Sequence, residues 1–146
     1  MPIKSFRGKL EDLASDTISL HTNNGSTGYK IVKFQLMPIN LNAEQASTVK
    51  IFTIPQTGTP TDTIDFDDNT LLAAGTFSQD DTSNNQPEAI TVIFDNTVFN
   101  QDIYLTHIDG QVGQGVNYYI ELEQIKLDLT ENTVATLKDI RNIEAQ

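Results

Sequence analysis

The sequence predicts an all-β protein with the architecture of an antiparallel β-sandwich, jelly-roll-like and built from about eight strands. Short segments alternate apolar and polar residues with the period of two that half-buried strands show. Val, Ile, Thr, Phe and Tyr dominate these segments, and clusters of Gly, Pro, Asn and Asp separate them. The chain contains no long segment with the 3.6-residue period of an amphipathic helix, so strands are expected to form the whole core.

Length and composition favour a single domain without covalent staples. The chain has 146 residues, of which 38% are apolar, and it contains no Cys and no Trp. We expect one domain over residues 1–146, with residues 1–10 as an N-terminal arm and residues 11–146 as the sandwich. The lack of Cys excludes thiol catalysis, cysteine-based zinc clusters and disulfide scaffolds.

The net negative charge of the chain restricts the classes of partner that it can bind. Nine Lys and Arg against twenty Asp and Glu give a net charge of −11, which argues against binding to nucleic acid or to an anionic membrane surface. The chain between Ile51 and Ile125 contains no Lys or Arg, which predicts one anionic surface. The basic residues bracket this stretch and could meet acidic patches on a neighbouring copy, or could simply be solvated. They are Lys4, Arg7 and Lys9 near one end and Lys126, Lys138 and Arg141 near the other.

Neither membrane insertion nor secretion is expected from the sequence. Apolar runs stay well short of the roughly 20 residues that span a bilayer. The N-terminus lacks the apolar stretch of a signal peptide, so the mature protein is expected to begin near Met1.

The first half of the chain predicts three strands. Asp16–Thr22 and Tyr29–Met37 alternate around an Asn-Gly turn, which is typical of a β-hairpin. Pro38 removes a backbone donor and ends the second strand. Ala43–Ser47 has room for at most one helical turn before a strand over Thr48–Ile54.

The second half predicts further strands between polar loops. The last strand changes its buried parity near Glu123 and Gln124, which predicts a β-bulge there or a crossing between sheets. The C-terminal segment Thr133–Ala145 fits a strand better than a helix because of its β-branched residues. The strands are expected over Thr70–Phe77, Ala89–Phe94, Asp102–Ile108 and Asn117–Leu129, and the loops over Gln56–Asn69 and Ser78–Glu88.

Residues that could support catalysis are sparse, and we expect no enzyme. His21 and His107 are the only imidazoles, and neither lies in a recognised nucleophile motif. A Ser–His–Asp site assembled from distant residues stays open. Glu121 and Glu123 share a strand face with Cα atoms roughly 7 Å apart, but a solvated sheet face explains them better than a pair of glycosidase carboxylates.

One acidic loop is a candidate calcium site, and Ca²⁺ is the only cofactor that the sequence suggests. Asp65, Asp67 and Asp68 supply hard oxygen ligands, with Asp80 and Asp81 as possible additions from the next loop. Their spacing departs from that of an EF-hand, so a solvated, mutually repelling loop without metal is the favoured interpretation, and calcium is the alternative.

Five segments spread nearly from end to end carry a resemblance of style and order. They are Lys4–Gly8, Gly28–Phe34, Asp68–Ala74, Asn117–Gln124 and Thr133–Asn142. Together they resemble small virion structural proteins of tailed bacteriophages that infect marine bacteria. The resemblance assigns no role to any single residue. It implies a capsid decoration or cement protein, located in the virion and bound to the major capsid protein or other virion proteins. It also implies a homo-oligomer, with a trimer favoured.

The N-terminal arm is the expected contact with a shell or a neighbouring subunit. It combines apolar anchors with positive charge. The interface residues expected there are Ile3, Lys4, Phe6, Arg7, Lys9 and Leu10. Two alternatives remain open: a tail, adaptor or fibre-associated structural protein, and a carbohydrate-binding module.

Overall fold

A computed structural model describes residues 2–21, 25–40, 44–79, 89–111 and 113–127. These residues form eight β-strands and no helix, which confirms the all-β prediction. None of these residues belongs to a helix long and apolar enough to cross a membrane. The strands are β1 (Ile3–Leu10), β2 (Ser15–Ile18), β3 (Thr27–Pro38), β4 (Gln45–Phe52), β5 (Leu71–Gln79), β6 (Ala89–Phe94), β7 (Ile103–Asp109) and β8 (Val116–Lys126).

The strands form two antiparallel sheets that share one core. The three-stranded sheet has the order β1-β8-β3, and the five-stranded sheet has the order β2-β7-β4-β5-β6. Phe34 and Ile120 of the first sheet belong to the same buried apolar cluster as Ile51, Phe77 and Leu105 of the second. Burial of one apolar face from each sheet against the other is the driving force of a β-sandwich.

The finer jelly-roll prediction is not confirmed. A jelly roll of eight strands would pair β1 with β8, β2 with β7, β3 with β6 and β4 with β5. Three of these ladders are present. β6 lies against β3 but forms its ladder with β5, so in the described residues the sheets have three and five strands.

The predicted hairpin between the second and third strands is wrong. β2 pairs with β7 and β3 pairs with β8, so the two strands lie in different sheets. The chain after β2 is held at the start of β7, because the Oδ1 atom of Asp102 accepts the backbone N–H groups of Leu20 at 2.8 Å and of His21 at 3.0 Å. Gly25 has the positive φ of 64° that the turn sequence predicts, but it lies on the connection between two sheets.

The predicted irregularity near Glu123 and Gln124 lies in a different strand. β8 pairs with β1 in continuous register, and the extra residue is Val32 of β3. Burial changes parity at this bulge: Ile31 is buried before it and Phe34 after it. The bulge therefore corrects the inward-facing pattern of β3 while β8 stays in one sheet.

Two strands extend into segments that were predicted to lie outside them. β4 begins at Gln45, so residues 45–47 pair with β5 where a helical turn was considered. β5 continues to Gln79, two residues into the predicted polar loop. The rest of that loop and the C-terminal segment Thr133–Ala145 lie outside the described residues.

The predicted N-terminal arm is a strand of the sandwich. Residues 3–10 pair with β8 along their whole length. Leu10 is buried in the shared core and Phe6 packs against that core. Alternate residues of β1 thus face the core. Removal of residues 3–10 would remove an edge strand of the sandwich.

Tyr118 joins the two sheets through the core. It lies near the start of β8, and its hydroxyl donates a 2.6 Å hydrogen bond to Oδ2 of Asp16 on β2. The ring crosses over Gly8, where a Cβ atom would come within 2.7 to 2.9 Å of Tyr118 ring and hydroxyl atoms. Burial and the hydrogen bond to Asp16 together raise the pKa of Tyr118. Gly8 is therefore the residue that lets this bridge form.

We expect Gly8→Ala to destabilise the protein by roughly 1 to 3 kcal/mol, because the new methyl group must displace a buried, anchored ring. Urea denaturation measures this as a lower midpoint. Gly110→Ala is the matched control, because the nearest atom to its added Cβ is 3.8 Å away. A Gly8→Ala midpoint equal to that of Gly110→Ala would contradict the close approach.

Leu13 adopts a positive φ of 63° in the turn between β1 and β2. A branched side chain in this left-handed region costs roughly 1 to 2 kcal/mol, and Asn tolerates it better. Leu13 is 48% exposed, so its replacement removes little apolar packing. We expect Leu13→Asn to raise the melting temperature by a few degrees in calorimetry. A lower melting temperature would show that Leu13 contributes more by packing than it costs in backbone strain.

Candidate functional site

Basic residues are concentrated in the three-stranded sheet. Its strands carry six basic residues and only two acidic ones. The rest of the described chain carries one basic residue, Lys50, and eleven acidic residues. The basic residues of the sheet are Lys4, Arg7, Lys9, Lys30, Lys33 and Lys126, and its acidic residues are Glu121 and Glu123. Four of the six cations and both glutamates lie on the outward face, which is therefore basic on a molecule that is acidic elsewhere.

A groove of about 1130 Å³ follows the basic sheet. Arg7, Tyr119 and Gln35 lie opposite one another on β1, β8 and β3, so they share the face that points away from the core. We call this the basic groove. Its outward-facing lining is Arg7, Lys9, Lys33, Gln35, Met37, Asn117 and Tyr119, and β6 adds Ile90 and Val92.

The carboxylates of the same face already have partners. The Tyr119 hydroxyl donates a 2.6 Å hydrogen bond to Oε2 of Glu121, and this bond to a carboxylate raises the pKa of Tyr119. Nζ of Lys30 lies 3.8 Å from Oε1 of Glu123. These contacts explain both glutamates as parts of a polar sheet face, as the sequence suggested.

The cations of the groove differ in their pairing. Lys9 lies 3.3 Å from Glu11 in an exposed ion pair. Arg7 and Lys33 have no ion pair with any residue that the structure describes. The groove also contains an apolar element, since Met37 is 65% exposed and Ile90 is 46% exposed. Unpaired cations beside exposed apolar side chains suit a ligand that is acidic and partly apolar.

The six predicted interface residues separate into two sets. Ile3, Arg7 and Lys9 are exposed and point outward with the groove. Lys4 points to the other face, where its Nζ atom lies 5.8 Å from the centre of the Tyr29 ring. Phe6 and Leu10 pack against or within the core, so they cannot serve as surface anchors. Alternation along β1 is the physical reason for the separation.

The contribution of β3 to the groove was not predicted from the sequence. Lys30 and Lys33 are three residues apart, which places them on opposite faces of a regular strand. The bulge at Val32 puts both on the outward face, opposite Glu123 and Glu121 respectively. Only the position of that bulge would have predicted that both lysines share one face.

A second polar cluster surrounds Asp102. Its Oδ1 atom lies 2.7 Å from Nδ1 of His21 and also accepts two backbone N–H groups. Partial burial alone would raise the pKa of Asp102, but the bonds from His21 and Leu20 outweigh it and lower the pKa. Ser19 and His21 line a small cleft beside this pair, yet no described serine hydroxyl is hydrogen-bonded to His21. The cluster thus contains two members of the triad that the sequence left open, and its visible role is to hold the chain after β2.

His107 is fully buried and links three parts of the chain. Its Nδ1 atom donates to the Glu11 carbonyl oxygen at 2.9 Å, because a carbonyl can only accept, and its Nε2 atom shares a 2.8 Å hydrogen bond with the Ser47 hydroxyl. Ser47 accepts in turn from Nε2 of Gln45 at 2.7 Å. Because His107 and Ser47 are closed to solvent, this Ser–His contact is a structural link in the core.

The predicted calcium ligands form turns. Oδ1 of Asp65 accepts the Asp67 N–H at 2.9 Å. Oδ1 of Asp68 accepts the backbone N–H and the hydroxyl of Thr70 at 2.9 and 2.7 Å. Among the described residues, no three His, Asp or Glu side chains gather as a metal site. Asp80 and Asp81 lie outside those residues, and calcium binding stays a prediction.

Comparison of the chain with protein-family models, with curated proteins and with solved structures found no match. A function for the protein is therefore inferred from its charge distribution and from the basic groove.

We expect the contribution of Asp102 to stability to depend on pH. Because the pKa of Asp102 is lower in the folded state than in the unfolded state, its ionised form stabilises the fold. This contribution is complete above the unfolded-state pKa of about 4, and is lost as pH falls through the folded-state pKa. Asp102→Asn keeps an acceptor oxygen but removes the charge. The stability difference from wild type should therefore be largest above about pH 5 and should shrink in acid. Urea midpoints measured at several pH values test this, and a difference independent of pH would exclude the charge as the cause.

Proposed function

We propose that this protein is a non-enzymatic structural protein, and specifically a capsid decoration protein that binds the outside of a phage shell. The observation that carries the proposal is the basic groove on one face of an otherwise acidic sandwich. Segregated charge orients a protein as it approaches its partner and restricts which face docks. The resemblance to small virion proteins supports the specific form of the proposal.

The size of the basic sheet argues for clustered attachment. An eight-residue strand is about 26 Å long, and neighbouring strands lie about 4.8 Å apart. Three strands therefore offer less area than the roughly 800 Å² per partner that stable protein interfaces bury. A decoration protein with such a face gains affinity when several joined copies bind together, because each further contact becomes intramolecular.

A carbohydrate-binding module is the second candidate, and one observation favours it. Tyr119 lines the groove together with Gln35, its partner on β3, and Asn117, two residues away on the same face of β8. An aromatic ring with flanking amides can stack on a sugar and hydrogen-bond its hydroxyl groups. Glycan-array binding that is lost in Tyr119→Ala would support this candidate over the first.

The copy number in particles tests the proposal directly. Quantitative mass spectrometry of density-gradient-purified phage particles should find about one copy per shell subunit, or one trimer per local threefold axis. A copy number far below that of the shell protein would place the protein in the tail. Absence from particles would overturn the virion proposal and favour the glycan candidate.

Charge reversal in the groove tests the surface. We expect Arg7→Glu with Lys33→Glu to weaken binding to shells that lack the protein by at least about tenfold, equal to about 1.4 kcal/mol. Lys4→Glu with Lys126→Glu is the matched control, because both residues lie on the same sheet outside the groove and the charge change is the same. Binding of both variants can be followed by co-sedimentation with the shells. Equal loss in both would indicate a general charge effect, and no loss in the double variant would exclude the groove.

A further inference from the structure

We propose that the basic groove binds a second copy of this chain, through the acidic loop of residues 62–69. This inference rests on the proposed function only in that the groove is a protein-binding surface. It names the partner and the segment. One groove holds one occupant, so the loop of a second copy and a shell compete for it: the protein self-associates where no shell is present, and shell binding displaces the loop.

The loop presents an apolar anchor between negative charges. Phe66 is 67% exposed and lies between Asp65 and Asp67. An exposed phenyl ring is costly in water and is a strong interface anchor once it is covered. The same segment also contains Asp62 and Asp68 and has no basic residue.

Several bonds hold the loop in shape. Nζ of Lys50 donates to Oγ1 of Thr61 at 3.2 Å and to the carbonyl oxygen of Thr63 at 2.8 Å. Burial lowers the pKa of Lys50, and the nearby charges of Asp62 and Asp68 act against that shift. The Asp65 side chain closes the next turn through the Asp67 N–H. A loop that is already ordered loses little conformational entropy when it binds.

The loop and the groove lie on opposite sides of the sandwich. Lys50 is next to the core residues Val49 and Ile51 on β4, so its side chain points outward from the five-stranded sheet. The groove is on the outward face of the three-stranded sheet. One molecule cannot fill its own groove with this loop, so the contact is head-to-tail and produces rings or chains of copies.

The two surfaces are complementary in charge and polarity. Arg7 and Lys33 lack ion pairs in the described residues and can meet the carboxylates of Asp65 and Asp67. Arg7 can bind a carboxylate through two parallel hydrogen bonds. The exposed side chains of Met37 and Ile90 in the groove can cover Phe66. The groove therefore supplies positive charge and an apolar surface, and the loop supplies negative charge and an apolar anchor.

Solution mass tests the contact without any shell. We expect wild-type protein to form oligomers in sedimentation equilibrium at roughly 50 mM salt and to dissociate at roughly 500 mM, where exposed charges are screened. Phe66→Ser, Asp67→Lys and Arg7→Glu should each weaken self-association by at least tenfold. Leu13→Asn is the control for Phe66→Ser, because it removes another exposed apolar residue outside both surfaces.

A charge exchange separates this contact from misfolding. Asp67→Lys has a reversed loop and an intact groove, and Arg7→Glu has an intact loop and a reversed groove. Mixing the two variants should restore oligomers that neither forms alone, and their melting curves should match wild type. Wild-type protein that stays monomeric at low salt, or a mixture without rescue, would overturn the inference.

The outcomes also separate this inference from the proposed function. A monomeric protein that is abundant on phage particles would overturn the head-to-tail contact and leave the decoration role intact. An oligomer that is absent from particles would support the head-to-tail contact and overturn the decoration role.

Discussion

The bulge at Val32 is the constraint on which the core and the groove both depend. One extra residue in β3 lets Tyr29 and Ile31 face the core before it and Phe34 and Leu36 after it. The same shift puts Lys30 and Lys33 on the outward face. Without it, the residues after position 32 would point to the other face, burying charges and exposing aromatic surface at a cost of several kcal/mol. A single irregularity therefore decides both the packing and the electrostatics of the three-stranded sheet.

Two polar contacts then help to fix how the two sheets meet. Tyr118 reaches from β8 across Gly8 to Asp16 on β2, and His107 of β7 bonds the carbonyl of Glu11, which directly follows β1. Within the five-stranded sheet, Asp102 holds the chain that follows β2 at the start of β7. Apolar burial provides most of the driving force, but it is nondirectional, and the directional bonds of Tyr118 and His107 favour one relative placement of the sheets.

Much of the fold was predictable because strand formation depends on local alternation. The all-β class, the placement of most strands and the end of β3 at Pro38 follow from period, β-branched content and proline chemistry. Which strands pair with each other was harder to predict from the sequence. An Asn-Gly turn between alternating segments favours a hairpin locally, yet β2 gains a better partner in β7, far along the sequence. The site was predicted only in part, because half of the six N-terminal residues face the core or its edge.

The sequence by itself determined the acidic charge, the absence of cysteine chemistry, the strand-forming segments and the separation of basic residues from the acidic middle of the chain. These properties belong to composition and to neighbours along the chain. Tertiary structure alone decided that β1, β8 and β3 share a sheet, because β8 pairs with β1 across more than one hundred positions and with β3 across 78 to 99 positions. That pairing brings Arg7 and Lys33 together on the outward face of the three-stranded sheet. Phe66 lies on the opposite side of the sandwich. Register and bulge position are set by packing between distant segments, which no local pattern encodes.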